Sequence, residues 1–200
     1  MAFDLCELWW MFTIKGLISL AFAATCYFFS SFVAVHFLKP VGFLYLLVVF
    51  TFYICLIGII LLVGAIYAFD EKLKHRWLLL GDAILNLALG PSFLLTFGFG
   101  LRFSMVVALF AVHAMIVGIG YCAMALVRDR TGRKYLLLGL AGAWSLLCGV
   151  FLLLYRQAHE ERLTVDAALY TAVLGSLLIW MSVRLHTTKS RLRATPVSLA

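Results

Sequence analysis

Apolar residues fill six long stretches of the chain, and short polar segments separate them. The stretches are Phe12–Phe37, Phe43–Ala68, Trp77–Phe99, Phe103–Val127, Tyr135–Tyr155 and Ala167–Leu185. Each is close to the length of about 20 residues that a helix needs to cross a bilayer core. Transmembrane strands alternate apolar and polar positions, whereas these stretches are apolar on every face. The pattern predicts an all-α, polytopic membrane protein with six transmembrane helices.

The segments between the predicted spans decide how the helices are connected. They cover residues 38–42, 70–76, 100–102, 128–134 and 156–166. Loops this short predict that sequential helices run antiparallel and pack as neighbours. Asp4 and Glu7 precede the first span, where a signal peptide needs positive charge, so this span is expected to be retained. The prediction is one domain over residues 1–186, followed by a flexible basic tail over residues 187–200.

Composition and charge exclude a soluble enzyme and give an orientation. The chain has 200 residues, of which 65% are hydrophobic and 12% charged, whereas soluble domains are near half apolar and a quarter charged. With the N-terminus in the cytoplasm, twelve of the 16 Lys and Arg residues lie on the inner side, Lys15 among them. The positive-inside rule therefore predicts that both termini are cytoplasmic. The net charge of +7 indicates contact with anionic lipids at that face rather than with nucleic acid.

Aromatic and glycine positions recur along the chain with a period of about 60 residues, which marks repeated structural units. The first helices share the pairs Phe12/Gly16, Trp77/Gly81 and Tyr135/Gly139, and the second helices share Tyr53/Gly58, His113/Gly118 and Tyr170/Gly175. The recurrence predicts three helical hairpins, at about residues 12–70, 77–130 and 135–186, related by a pseudo-threefold axis along the membrane normal.

The repeated unit resembles the short membrane repeat of the HdeD-like family over roughly residues 12–186. The resemblance rests on Trp77-Leu78-Leu79-Leu80-Gly81 through Gly90-Pro91, and on Tyr135-Leu136-Leu137-Leu138-Gly139 through Gly149. The first copy departs from it, because Lys15 precedes Gly16 and Pro40 comes well after the helix. The resemblance implies a six-helix protein of the bacterial inner membrane with a role in acid resistance or stress tolerance. It implies no catalytic residues.

Three polar residues at membrane depth form a candidate intramembrane site: Asp82, Asn86 and His113. Asn86 lies one helical turn after Asp82 on the same face, and His113 lies near the middle of the next span, where a contact with Asn86 is feasible. Ionisable residues at this depth mark proton or ion sites. Two alternatives stay open: Asp82 pairs with a loop cation such as Arg76 or Arg133, and His113 is a structural polar contact at the position of Tyr53 and Tyr170.

A second candidate is a pH-responsive outer face. It consists of His36, His159, Glu160, Glu161 and Asp166. Its formal charge, with the outer Lys and Arg residues included, would rise from about +1 to about +6 if the three carboxylates and two histidines were protonated near their unperturbed pKa values. Such a change would release or repel a partner in acid. The alternative is an ordinary solvated loop.

The chain lacks the motifs of cofactor, metal and nucleotide chemistry. It has no Walker loop, HExxH, GxSxG or CxxC, so we expect no cofactor, no metal and no enzymatic activity. Two functions remain: a structural or accessory subunit of a membrane complex, and a small proton or ion channel or transporter that uses Asp82, Asn86 and His113. The expected partners are the lipid bilayer and either another membrane protein or a second copy of the chain.

Overall fold

The computed structural model describes residues 8–34, 39–70, 76–98, 103–126, 133–155 and 160–194, and helices account for almost all of them. The helices are α1 (Trp9–Ala34), α2 (Lys39–Asp70), α3 (Arg76–Gly98), α4 (Phe103–Leu126), α5 (Arg133–Leu154) and α6 (Glu160–Ala194). The predicted all-α fold with six helices is confirmed for the described ranges.

Length and hydropathy make these helices suited to a bilayer. Within the described residues, five of them are long and apolar enough to cross a membrane. The helix α3, which the sequence predicts to be the third span, is not among these five, so its crossing of the membrane stays a prediction. Inside lipid, backbone N–H and C=O groups need partners within the segment, and a helix supplies them. The fold is therefore that of a multi-pass membrane protein.

The last helix extends further than the hydropathy pattern predicts. α6 begins at Glu160 and continues to Ala194, so residues 160–166 are helical rather than loop, and residues 187–194 are helical rather than a flexible tail. Hydropathy marks where the chain is apolar, but a helix continues into the polar flanks as long as its backbone hydrogen bonds are made. Residues 195–200 of the predicted tail lie outside the described residues.

The closest helix pairs are not the helices of one predicted hairpin. Three pairs of helices have the most extensive contacts: α1 with α6, α4 with α5, and α2 with α3. Sequential helices do touch, as predicted, although α3 and α4 do so only slightly; the most extensive contact, that of α1 with α6, joins helices that are not sequential. The two helices of each close pair run antiparallel, and α1, α3 and α5 all start at the same end of the bundle. We call this end the near end.

Glycines on the second helices set these close approaches. A methyl group added at Gly175 would lie 2.8 Å from the Gly16 carbonyl oxygen, and one added at Gly118 would lie 2.8 Å from the Gly142 carbonyl oxygen. At Gly58 it would lie 2.8 Å from the Leu87 side chain. Small residues let membrane helices approach this closely. Each second helix therefore packs against the first helix of a different hairpin, at an equivalent position in all three cases.

Candidate functional site

Three buried hydrogen bonds, one in each predicted hairpin, join the first helix to the second. They are Ser19 to Tyr53 at 3.1 Å, Asn86 to His113 at 2.9 Å and Ser145 to Tyr170 at 2.7 Å. In each pair the first-helix side chain uses its own donor on a backbone carbonyl, at Lys15, Asp82 and Ala114 respectively. The ring of the second helix must then be the donor. The three bonds recur at intervals of about 60 residues, but on the first helices their register, Ser19, Asn86 and Ser145, differs by one or two residues from the predicted register of Gly16, Gly81 and Gly139.

In the second hairpin this hydrogen bond extends to a carboxylate. The Asn86 side-chain amide donates to Asp82 Oδ1 at 2.9 Å and to the Asp82 carbonyl at 2.7 Å. Its oxygen accepts from His113 Nε2 at 2.9 Å, so a neutral His113 carries its proton on Nε2 and has a free lone pair on Nδ1. The structure thus joins the predicted residues Asp82, Asn86 and His113 by a continuous series of hydrogen bonds. The contact expected between His113 and Asn86 is one of them.

A lysine of another hairpin completes the arrangement. Lys15 Nζ of α1 lies 3.7 Å from Asp82 Oδ2, and the two side chains are 3% and 15% exposed. The positive-inside prediction places Lys15 among the cytoplasmic charges, but the structure buries it in the core of the bundle. A buried ammonium group needs a counter-charge because no water solvates it. Asp82, one and a half turns into α3, provides that charge.

Two loop cations are alternative partners for Asp82. The Arg76 guanidinium lies 5.0 Å from the centre of the Phe69 ring. The Arg133 side chain lies outside the described residues, so its pairing with Asp82 stays a prediction. Among the described residues, the cation paired with Asp82 is Lys15.

Tyr121 of α4 lies beside the ion pair. Lys15 Nζ is 5.0 Å from the centre of the Tyr121 ring, and Tyr121 is 2% exposed. Among the described residues, Lys15 Nζ, His113 Nδ1 and Tyr121 Oη are buried and have no partner at ordinary hydrogen-bond distance. Most buried polar atoms in proteins are paired. Two helices, α1 and α4, thus carry buried polar atoms with unused hydrogen-bonding capacity.

The charged residues occupy positions where the three hairpins differ. Lys15 and Asp82 each precede the hydrogen-bonding residue of their helix by one turn, and Ala141 has the same place before Ser145. Tyr121 lies eight residues after His113, where the other second helices have Leu61 and Leu178, all of them buried. One polar site has therefore been added to a repeated apolar framework.

Aromatic rings close the core on the side away from the near end. The rings of Phe50 and Phe110 meet edge to face with centroids 4.6 Å apart. Phe22 lies 5.6 Å from Phe50, and Tyr170 lies 5.6 Å from Phe110. The partly exposed Asp82 lies on the near side of this layer.

The predicted outer face is only partly described. His36 and His159 lie outside the described residues, and so do the side chains of Glu160 and Glu161, whose backbone forms the first turn of α6. Asp166 is half-buried on the same helix. Acidic residues at this position stabilise a helix N-terminus through its dipole. The pH-responsive face stays a prediction.

The sequence contained one overlooked signal for Lys15 and Ser19. Their spacing of one turn in the first hairpin matches that of Asp82 and Asn86 in the second. Aligning the copies on these pairs would have placed Lys15 in the site. Tyr121 carries no comparable signal, because a tyrosine near a helix end is ordinarily an interfacial anchor.

Comparison of the chain with protein-family models, with curated proteins and with solved structures found no match. Across the described residues, no group of three or more His, Cys, Asp or Glu side chains is placed to hold a metal ion. The features that bear on function are therefore the buried ion pair of Lys15 with Asp82 and its hydrogen bonds.

Proposed function

We propose that this protein is a non-enzymatic membrane protein that binds and exchanges protons at Lys15, Asp82 and His113, with Asn86 as the hydrogen-bonding link between Asp82 and His113, as a small proton channel or transporter. The observation that carries the proposal is the ion pair between Lys15 and Asp82 inside the bundle, 3.7 Å apart. Charges at membrane depth are costly, and they mark ion and proton pathways.

The geometry suggests how the groups would act together. A proton that binds Asp82 neutralises the carboxylate and leaves the Lys15 ammonium without its counter-charge. Loss of a proton from either group restores neutrality. Asn86 holds Asp82 and His113 in one hydrogen-bonded chain, so the charge of Asp82 influences His113, whose free Nδ1 is a second proton acceptor. The aromatic layer beyond them makes transport dependent on a conformational change.

Proton flux into vesicles tests this proposal. Purified protein is reconstituted into liposomes that contain a pH-sensitive dye, and an external acid pulse is applied. We expect flux well above that of empty vesicles, and a fall to the empty-vesicle level in Asp82→Asn and His113→Phe. The matched control is Ser145→Ala, which removes the equivalent hydrogen bond of the third hairpin and should retain flux. No flux at any pH would overturn the proposal.

A structural or accessory role is the second candidate, and the three equivalent hydrogen bonds favour it. In two hairpins the same bond joins uncharged residues, Ser19 to Tyr53 and Ser145 to Tyr170, so it contributes to helix packing there. On this alternative, purification in a gentle detergent recovers the protein in a larger assembly. Recovery as a bare monomer or homo-oligomer would count against it.

The cellular process and the membrane in which either role is carried out are proposed from the sequence repeat alone. Acid or stress tolerance, and residence in a bacterial inner membrane, follow from the resemblance to the HdeD-like repeat at Trp77–Gly81 and Tyr135–Gly139. A proton-binding site suits that setting, since its occupancy changes with pH.

A further inference from the structure

Lys15 occupies the place of a bound cation. Its ammonium lies 3.7 Å from a carboxylate oxygen of Asp82 and 5.0 Å from the centre of the Tyr121 ring. A carboxylate and an aromatic face are both groups that attract cations. Without the lysine, the same groups would present a single negative charge beside an aromatic ring, open to monovalent cations from water.

We propose that Lys15 is a tethered cation that occupies the Asp82 site and excludes Na⁺ and K⁺, so that the proton is the only ion the site exchanges. This inference rests on the proposed function where it names the proton. The exclusion of metal cations is independent of it and can be measured separately.

Charge balance gives the reason for the selectivity. The pair formed by Lys15 and Asp82 is neutral, and a Na⁺ ion entering it would leave a net charge of +1 in a site with little water. Burying an unpaired charge is costly. A proton also adds one charge, but it bonds to a carboxylate oxygen and does not have to displace the Lys15 ammonium from beside Asp82, as Na⁺ would. Lys15 can then lose a proton, so the site regains neutrality. The titratable groups around Lys15 are Asp82, Tyr121, Tyr53 and His113, and none of the other three carries a permanent negative charge near neutral pH.

The repeat indicates that helix packing alone does not require a lysine here. The equivalent position of the third hairpin is Ala141, which is 1% exposed. A neutral residue is therefore compatible with the local backbone. Lys15→Met keeps most of the volume of the side chain and removes its charge.

The test measures Na⁺ binding through thermal unfolding in detergent, in NaCl and in choline chloride of equal ionic strength. We expect the same unfolding temperature in both salts for the unmodified protein. For Lys15→Met we expect the unfolding temperature to be higher in NaCl by about 3–6 °C, the shift expected for a chain of this size when Na⁺ is present at about ten times its Kd. The effect should be lost in Lys15→Met/Asp82→Asn.

The outcomes separate this inference from the proposed function. Equal unfolding temperatures in both salts for Lys15→Met, and also for the hydrogen-bonding variant Lys15→Gln, would overturn it. So would Na⁺-dependent stabilisation of the unmodified protein, or inhibition of its proton flux by Na⁺, even if neither variant folds. If Lys15→Met gains Na⁺ dependence but the unmodified protein conducts no protons, the exclusion of metal cations stands and the proton function falls.

Discussion

At the scale of single residues, the site follows from what a buried polar group needs. Lys15 and Asp82 each lie about one and a half turns inside a helix, and each finds its counter-charge in the other. Removing one member of a buried pair leaves an uncompensated charge, which costs about 3–5 kcal/mol. Stability alone does not explain such a pair, since apolar residues of similar volume are often as stable. This is the physical reason to look for a function in it.

An exchange between hairpins separates structure from function at His113. Asn86→Ser/His113→Tyr recreates in the second hairpin the bond of Ser145 to Tyr170, which is 2.7 Å long. Because the two changes nearly conserve volume together, we expect a loss of stability below about 1.5 kcal/mol. Proton flux should nevertheless fall to the empty-vesicle level, since the titratable imidazole is gone. Thermal unfolding measures the loss of stability, and proton flux into vesicles measures the loss of function. Retained flux would show that His113 is only structural.

At the scale of helices, glycines determine which elements meet. Gly175 and Gly16 lie on antiparallel helices, and each would bring an added methyl group to 2.8 Å from the carbonyl oxygen of the other. Apolar side chains gain little by leaving lipid for another helix, so hydropathy does not choose the partner. Close packing does, and it joins the first helix to the last.

A pair of glycine substitutions tests this packing. Gly175→Ala must push α1 and α6 apart, because the nearest atoms include the Gly16 backbone; overpacking of this kind costs about 1–3 kcal/mol. Gly81→Ala is the matched control, since the position has no neighbouring atom within 4 Å among the described residues. We expect a lower unfolding temperature for the first variant and an unchanged or slightly higher one for the second. Equal effects would contradict the close α1–α6 contact.

At the scale of the whole molecule, the hairpins form a bundle whose first and last helices pack together. The equivalent hydrogen bonds of the three hairpins support a pseudo-threefold arrangement, and the charged residues break that symmetry. The charged pair lies toward the near end, because Lys15 and Asp82 are each about one and a half turns from the start of α1 and α3.

The side of the membrane on which the termini lie is predicted from the charges of the whole sequence. The six predicted spans would place both termini on one side, and the Lys and Arg residues of the loops predict that this side is the cytoplasm. Lys15 no longer belongs in that count, but the other eleven residues remain. Fluorescent reporters fused to either end should mature, and alkaline phosphatase fusions should be inactive. Active phosphatase at one end alone would rule out an even number of spans.

The sequence by itself determined the helices and the candidate trio. Apolar stretches of this length must be helical in lipid because each backbone group is satisfied locally, and Asp82, Asn86 and His113 stood out as polar residues within such stretches. The limits of α6 were less certain, since helix formation does not end where hydropathy does. These are local properties, so a single sequence contains them.

Only the tertiary structure decided the partner of each helix and of each charge. A lysine near the start of an apolar span is ordinarily assigned to the interface, where its long side chain reaches water. Its burial depends on α3 and α4, which bring Asp82 and Tyr121 to it. The pairing of α1 with α6 depends likewise on glycines far apart in the chain. In a bilayer every apolar face is equally soluble in lipid, and steric fit and charge pairing therefore choose among arrangements that hydropathy leaves equal.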